Sequence, residues 1–521
     1  MPIQTSRSFA GIVSGILVSA LATAAAIADA PPLVTPPPRH VAWTAAGFDL
    51  KAGGPIVAAE PQARQVTRLL AREIQRLHRI DQTVVSDLPD QDTPAIRLVL
   101  ADSPPGKAFL QKVFGQIQWP PERNPEEGYV LEVGPRETVI LARSQRGLVY
   151  GCQTLLQLVE PTAAGAGKRL RGARIVDYPQ LGFRAVHVCI FPNTELAAVR
   201  QMILLAARFK YNAVVIEPWA SLTSKKRPET AYDNTYTPEQ IRPLVELGQA
   251  LGMEMIPMLN SWGHASGMRS RSSEHVVLDR YPQHKDLYEA DGWSFCLSNP
   301  AVYDHLFDRY DELLELFAPA RYFHLGLDEA WGHLGLKDSK EIRGDDPLKL
   351  IRSHLDKLHG YFARRNVQVL VWHDMFLERD HPQLGRQSPA NSFPPFNTHL
   401  ALPTLPRDVI IAAWNYTATD QWPVPKYFSD QGFPVVVCPW KTKRNTIALV
   451  DTAKKHDLLG HLATTWDSLD VCQPSVAEAG VLAWTAPGYK LNIPFDHWLA
   501  AIRALPICDL PKLEETFVPA R

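Results

Sequence analysis

The chain has 521 residues, 45% of them hydrophobic and 21% charged, with a formal net charge of −1. Such a balance is ordinary for a globular protein, and it leaves no electrostatic footprint for nucleic acid or an anionic membrane. The length suits two or three domains, and thirteen tryptophans supply flat faces of the kind that lie against sugar rings, although most tryptophans in any protein are core.

Arg7 opens a positively charged start, and Phe9 to Ala25 is an apolar run of small and aliphatic residues. The run ends in Ala26-Ile27-Ala28 before Asp29, or Ala28-Asp29-Ala30 before Pro31, and both resemble a signal-peptidase site. Crowding of small residues at that end favours a removed leader over residues 1–30 rather than a membrane anchor. The expectation is therefore an exported protein, periplasmic or extracellular, with no membrane span after cleavage. Residues 31–39 carry five prolines and read as an extended linker. Cys152, Cys189, Cys296, Cys438, Cys472 and Cys508 are widely spaced with no CxxC pair, so zinc-knuckle and redox-motif readings fail.

Residues 40–160 read as a small α/β domain. Val66, Leu69, Leu70, Ile74 and Leu77 give Pro61 to Ile80 a helical period. Ile96 to Leu100, Tyr129 to Val133 and Thr138 to Ala142 read as strands, and Gly147 to Val159 as a helix with one apolar face. Pro, Gly and Ala cluster over residues 160–171, which reads as a boundary. Beyond it, eight strand candidates follow: Phe183–Ile190, Asn212–Trp219, Met253–Asn260, Tyr322–Glu329, Val367–Asp374, Val409–Tyr416, Pro434–Trp440 and His461–Asp467. Helical segments such as Glu195–Phe209, Pro238–Leu251, Ala301–Phe317 and Pro347–Arg365 separate most of them. The pattern predicts an α/β fold with a (β/α)8 TIM barrel over residues 172–505 and a tail over 506–521. A doubly wound open sheet is the runner-up, disfavoured by the strand count and by the absence of a GxGxxG or P-loop.

In such a barrel all strand ends converge on one rim. Here those ends carry Glu217-Pro218-Trp219, Asn260 with His264 just beyond, Asp328-Glu329, Trp372-His373-Asp374, Trp414-Asn415-Tyr416, Trp440 and Trp466-Asp467. Acids and aromatics gathered in one bowl suit a neutral polyhydroxylated ring, whose C–H faces lie on indoles while polar groups fix its hydroxyls. The most telling stretch is the apolar strand that ends in two adjacent acids, Asp328 and Glu329, because two carboxylates are expensive to bury unless paired or used.

His324-Leu325-Gly326-Leu327-Asp328-Glu329 resembles the H-x-G-x-D-E signature of family 20 glycoside hydrolases, the β-N-acetylhexosaminidases. Further stretches fall in the family's order: Glu127 to Leu131 through Gly147 to Leu158, Asp177-Tyr178-Pro179 with Phe183-Arg184, Lys210-Tyr211-Asn212, and Ile256-Pro257 through Gly263-His264. The chain departs from the family at three strand ends. Cys189 stands where an Asp is common, Glu217 replaces a histidine-rich stretch, and Asn260 replaces an Asp. A Glu on strand two makes the chain similar to the divergent hexosaminidase D-type branch.

The resemblance implies an exo-acting, retaining hydrolase of terminal β-linked GlcNAc or GalNAc, without cofactor or metal. Most retaining glycosidases face two carboxylates across about 5 Å, which adjacent strand residues, pointing to opposite faces, fit poorly. The substrate-assisted variant fits better: Glu329 protonates the glycosidic oxygen, the substrate's acetamido oxygen attacks, and Asp328 holds the acetamido N–H. Without the resemblance, helix capping by Asp328-Glu329 explains the pair equally well. The resemblance further implies that Arg184 binds sugar hydroxyls, the alternative being an ion pair at the barrel base. His264 would bond Glu329, or stand as a structural loop histidine. Glu217 would hold His264 or a hydroxyl, or sit in a buried salt bridge. Trp372, Trp414 and Trp466 would wall the sugar, and Tyr416 would orient the acetamido carbonyl. His324 reads as structural, and a metal site of His324, Asp328 and His333 matches no ligand spacing. The alternatives in function are a catalytically silent carbohydrate-binding barrel and a same-fold hydrolase of another glycoside.

Overall fold

The computed structural model describes residues 33–88, 90, 92–113, 124–162, 165, 167–231, 235–266, 276–290, 292–330, 346–394, 396–417 and 422–491. The expected leader, the barrel's expected last residues 492–505, the tail and His333 lie outside the described residues. Among the described residues no helix is long and apolar enough to cross a membrane.

The N-terminal domain is a seven-stranded mixed sheet covered by the helices Pro61–His78 and Gln145–Leu155. Val66, Leu70 and Ile74, spaced four apart, form one stripe of the first helix and bury it against Ile56, Ile96 and Leu98. The second helix starts at Ser144, whose hydroxyl accepts the Gly147 N–H. It approaches the sheet so closely that a Cβ on Gly151 would stand 2.4 Å from Ile140 Cγ2.

The small domain extends further than the composition suggests. The Pro/Gly/Ala cluster is not a linker: it joins the antiparallel strands Val159–Pro161 and Lys168–Leu170. The next strand, Ala173–Asp177, pairs with His40–Trp43 on one side and Tyr129–Val133 on the other. The barrel is therefore entered at Phe183 rather than at residue 172. A turn-rich composition marks a hairpin and an interdomain linker alike, which is why the sequence boundary falls early.

Eight parallel strands follow: Phe183–Cys189, Ala213–Glu217, Glu254–Pro257, Tyr322–His324, Gln368–Trp372, Ile410–Trp414, Val435–Cys438 and Gly460–Ala463. Their order around the sheet is the order in the chain, with the eighth beside the first. The third and fourth meet at a Met258–His324 bridge, supported by the Leu259 N–H to His324 carbonyl bond of 3.1 Å. Closure rules out the open doubly wound sheet. Phe183, Ala185, Val215, Ile256, Leu370, Ala412, Val436 and Leu462 fill the interior in the alternating pattern of a barrel core.

Buried charges fasten the two domains together. Lys210 Nζ lies 2.7 Å from Asp177 Oδ2, with both side chains fully buried. Tyr129 donates to the same carboxylate at 2.7 Å, and Trp484 Nε1 donates to its other oxygen at 2.9 Å. Beside this pair, Glu127 accepts from Arg184 at 2.6 Å, Arg146 at 3.1 Å and Asn212 at 2.8 Å. Removing one partner of a buried pair leaves an uncompensated charge. The substitution Asp177→Ala is expected to cost about 3–5 kcal/mol, read as a lowered urea midpoint; an unchanged midpoint would show that the pair does not join the domains.

Candidate active site

The ladder of the fourth strand ends at His324, and the backbone then turns left-handed at Gly326 (φ +68°), Leu327 (φ +75°) and Glu329 (φ +45°). In an extended strand residues 328 and 329 would point to opposite faces; this turn removes the alternation. Both carboxylates reach one imidazole: His264 Nε2 lies 3.4 Å from Asp328 Oδ2 and 3.5 Å from Glu329 Oε2. The Glu329 side chain is 45% exposed and that of Asp328 13% exposed, so one acid faces the opening and the other lies below it. Asp328 Oδ1 is buried without a hydrogen-bond partner.

A non-glycine residue in this conformation costs about 1–3 kcal/mol and persists only where its surroundings hold it. Asp374 Oδ2 accepts the Glu329 N–H at 3.0 Å, and Trp293 Nε1 donates to the Glu329 carbonyl at 2.7 Å. Ser294 Oγ bonds the Ala330 carbonyl. Gly326 passes so near the third strand that a Cβ would stand 2.3 Å from Asn260 Oδ1. Burial disfavours a charged His264, but Asp328 and then Glu329 outweigh burial and push its pKa up to about 10. It is an imidazolium throughout the neutral range, one cation that faces both carboxyl groups. Burial, then the Asp328 charge, pushes the Asp374 carboxyl up to about 7.

Trp372, Trp466, Tyr416 and Trp414 form one chain of touching rings at their strand ends. Trp372 is buried in the floor, 4.4 Å from the His324 ring and 6.0 Å from Trp466 between ring centroids. Tyr416 stacks on Trp414 at 5.1 Å, and its hydroxyl accepts from Trp466 Nε1 at 2.5 Å. Trp414 Nε1 donates to Asp374 Oδ1 at 3.1 Å. His324 is structural: its Nδ1 accepts the Gly326 N–H at 3.1 Å, and burial holds its pKa well below the usual value.

Two expected sugar contacts are not in the bowl. Arg184 starts the first strand at the opposite end of the barrel, 0% exposed, and its donors go to Glu127, Tyr150 and the carbonyls of Leu181 and Lys210. It belongs to the domain clamp, the ion-pair alternative. Glu217 is 1% exposed and holds neither His264 nor an open face: His187 Nε2 donates to one oxygen at 2.7 Å and Asn260 Nδ2 to the other at 2.7 Å. The departures at strands two and three thus fit each other. An Asp in place of Asn260 would set two carboxylates in contact, whereas the amide donates.

His187, Trp293 and Asn391 join the site in addition to the expected residues. His187 was findable, since the inward period of Phe183 and Ala185 continues to it. Trp293 and Asn391 come from loops, where no period points. Among the described residues, two clusters bring metal-ligand residue types together: His187, Cys189 and Glu217, and His264, Asp328 and Glu329. In the first, Cys189 Sγ accepts from Trp219 Nε1 at 2.6 Å and both Glu217 oxygens carry hydrogen bonds. In the second, the proton on His264 supplies the positive charge.

Two family profiles match the chain: glycosyl hydrolase family 20, domain 2, over residues 31–178, and glycosyl hydrolase family 20, catalytic domain, over residues 213–466. Together they cover more than three quarters of it. A β-hexosaminidase of Porphyromonas gingivalis is 27% identical over 275 residues, 48% of this chain and 34% of that protein. The human β-hexosaminidase subunit beta is 23% identical over 277 residues, 49% of this chain and 48% of that protein. A bovine hexosaminidase D is 25% identical over 160 residues, 29% of this chain and 43% of that protein. The chain thus spans no more than about half the length of these relatives. Among solved structures, a GH20 exo-β-N-acetylglucosaminidase of Vibrio harveyi superposes with a TM-score of 0.65 at 17% identity, over 93% of this chain and 79% of that one. A GH20 β-N-acetylhexosaminidase of Streptomyces coelicolor gives 0.64 at 18%, over 91% and 96%.

The raised affinity of His264 for its proton has a pH signature. Its contribution to stability is complete below the unfolded-state pKa of about 6.5 and fades as pH rises towards 10. The denaturation-midpoint advantage of the wild type over His264→Asn is therefore expected to be greatest near pH 6 and to shrink by about pH 9–10. A pH-independent difference would contradict the shared imidazolium.

Proposed function

The chain belongs to glycosyl hydrolase family 20, and we infer that it removes terminal β-linked N-acetylhexosamine, GlcNAc or GalNAc, with retention and through an oxazolinium intermediate. The observation that carries this reading is the convergence of two consecutive carboxylates on one side, with a bare, buried oxygen on Asp328. A carboxylate oxygen only accepts, so it suits a substrate N–H, and the acetamido group brings one. Glu329 stands at the exposed side, where a leaving oxygen would sit. It gives up its proton as the C–O bond breaks, while the acetamido oxygen bonds to the anomeric carbon and positive charge spreads over the forming ring. Asp328 holds the N–H and balances that charge. Glu329, now a carboxylate, takes a proton from water as the water opens the oxazolinium.

The indoles exclude water and carry the sugar's apolar face. Tyr416, whose hydroxyl oxygen accepts from Trp466 and also contacts Thr464, orients the acetamido carbonyl. His264 keeps the two acids apart in charge without itself meeting the sugar. Glu217 on strand two supports placement near the hexosaminidase D-type branch. The apolar leader supports export, and the mature chain is expected to start at Asp29 or Pro31 when the secreted product is sequenced.

Chromogenic β-glycosides of GlcNAc and GalNAc test the activity directly: turnover of at least one is expected, with inhibition by a thiazoline mimic of the oxazolinium. Sugar binding without turnover would mark a silent binding barrel, and turnover insensitive to the thiazoline would mark a hydrolase of another mechanism. Glu329→Gln is expected to lower kcat by about 10²–10⁴-fold on substrates with poor leaving groups. Asp328→Asn should cost about 10²–10³-fold, with the loss in the first chemical step. Near-normal kcat in either variant would overturn these roles.

A further inference from the structure

Asp374 is a fully buried carboxylate at the end of the fifth strand, and every contact on it is a donor. Its Oδ2 accepts the Glu329 N–H at 3.0 Å and Asn391 Nδ2 at 2.8 Å, and its Oδ1 accepts Trp414 Nε1 at 3.1 Å. Asn391 is itself anchored, because its N–H bonds the Asp374 carbonyl at 2.7 Å. One side chain thus touches the backbone of the proposed proton donor and the edge of a wall indole. Burying this anion next to Asp328 and Glu329 is unfavourable, so its placement calls for a return elsewhere.

We propose that Asp374 is a positioning residue of this site, whose ionised carboxylate sets Glu329 and Trp414 in one fixed register. The inference rests on the glycosidase reading. Three N–H groups on two oxygens favour the carboxylate form: a proton on Oδ1 weakens that oxygen as an acceptor for the Trp414 N–H, and one on Oδ2 competes with Glu329 and Asn391. The charged groups around it are Asp328 and Glu329 from the fourth strand, with the His264 imidazolium beyond them. On its own element, His373 is held neutral by burial, its pKa lowered to about 3. Burial first, then the Asp328 charge, brings the protonation of Asp374 to about pH 7, within a group of three interacting carboxyls. Below that pH the register loosens, so the acid limb of activity includes Asp374.

Asp374→Asn imitates the protonated form. With the full chain and a series of aryl β-N-acetylhexosaminides, the variant is expected to lose about 10²-fold or more in kcat on poor leaving groups and far less on activated ones, because a misplaced acid matters only where protonation is needed. Asp374→Glu, which keeps the charge, should recover part of the loss. Asn391→Ala keeps the carboxylate but removes a donor that favours its charge, so its acid limb should move to higher pH, a change that a purely structural role would not produce. If Asp374→Asn does not fold, that shift alone decides. A folded Asp374→Asn with the wild-type leaving-group dependence, or Asn391→Ala with an unmoved acid limb, overturns the proposal. Wild-type protein inactive on every glycoside in the series would instead overturn the glycosidase reading on which it rests.

Discussion

Two carboxylates on consecutive residues cannot face one bowl while their backbone stays extended. The left-handed turn through Gly326, Leu327 and Glu329 resolves this, and most of the site's architecture serves it. Asn260 lies against the one position where a side chain cannot fit. Trp293 and Asp374 take the carbonyl and the N–H of Glu329 that no ladder partner satisfies. His264 supplies a cation within reach of both Asp328 and Glu329. These contacts come from the third and fifth barrel units, so the local strain is held by the closed fold rather than by the fourth strand itself.

The small domain contributes at the far end of the barrel. Its Asp177 and Glu127 meet Lys210 and Arg184, cations that begin the second and first strands. These residues lie deep, and each is satisfied by more than one partner, which is what allows charge in so dry a place. The clamp fixes the starts of the two strands whose ends carry Glu217 and Cys189. Stiffness at the base is thereby passed to the floor of the bowl through a few residues of parallel ladder.

The chain's departures from its family at three strand ends form one compatible set. Glu217 needs donors and finds them in His187 and Asn260; Cys189 offers sulfur to the Trp219 indole. An Asp at the third strand and a Glu at the second would not coexist at 2.7 Å without a shared proton. Both oxygens of Glu217 thus find their donors within the floor itself. In the proposed reaction the sugar would meet the aromatic wall and the two acids, with Asp374 buried behind them.

Much of this was legible in the sequence because it is periodic and local. Period-two apolar runs and their helical spacers set the eight strands and their order, and the acid pair stood at a strand mouth whatever the tertiary arrangement. The family likeness followed from motifs read along the chain. What the chain alone could not decide were contacts between residues far apart in it. Arg184 sits five residues before Cys189 on one strand, yet at the opposite end of the barrel from the bowl, because the small domain covers that base. Asp374 meets Glu329 across 45 residues, and Glu217 turns from His264 to His187. Strand period assigns a side chain to a face, but only packing in three dimensions says what waits on that face to meet it.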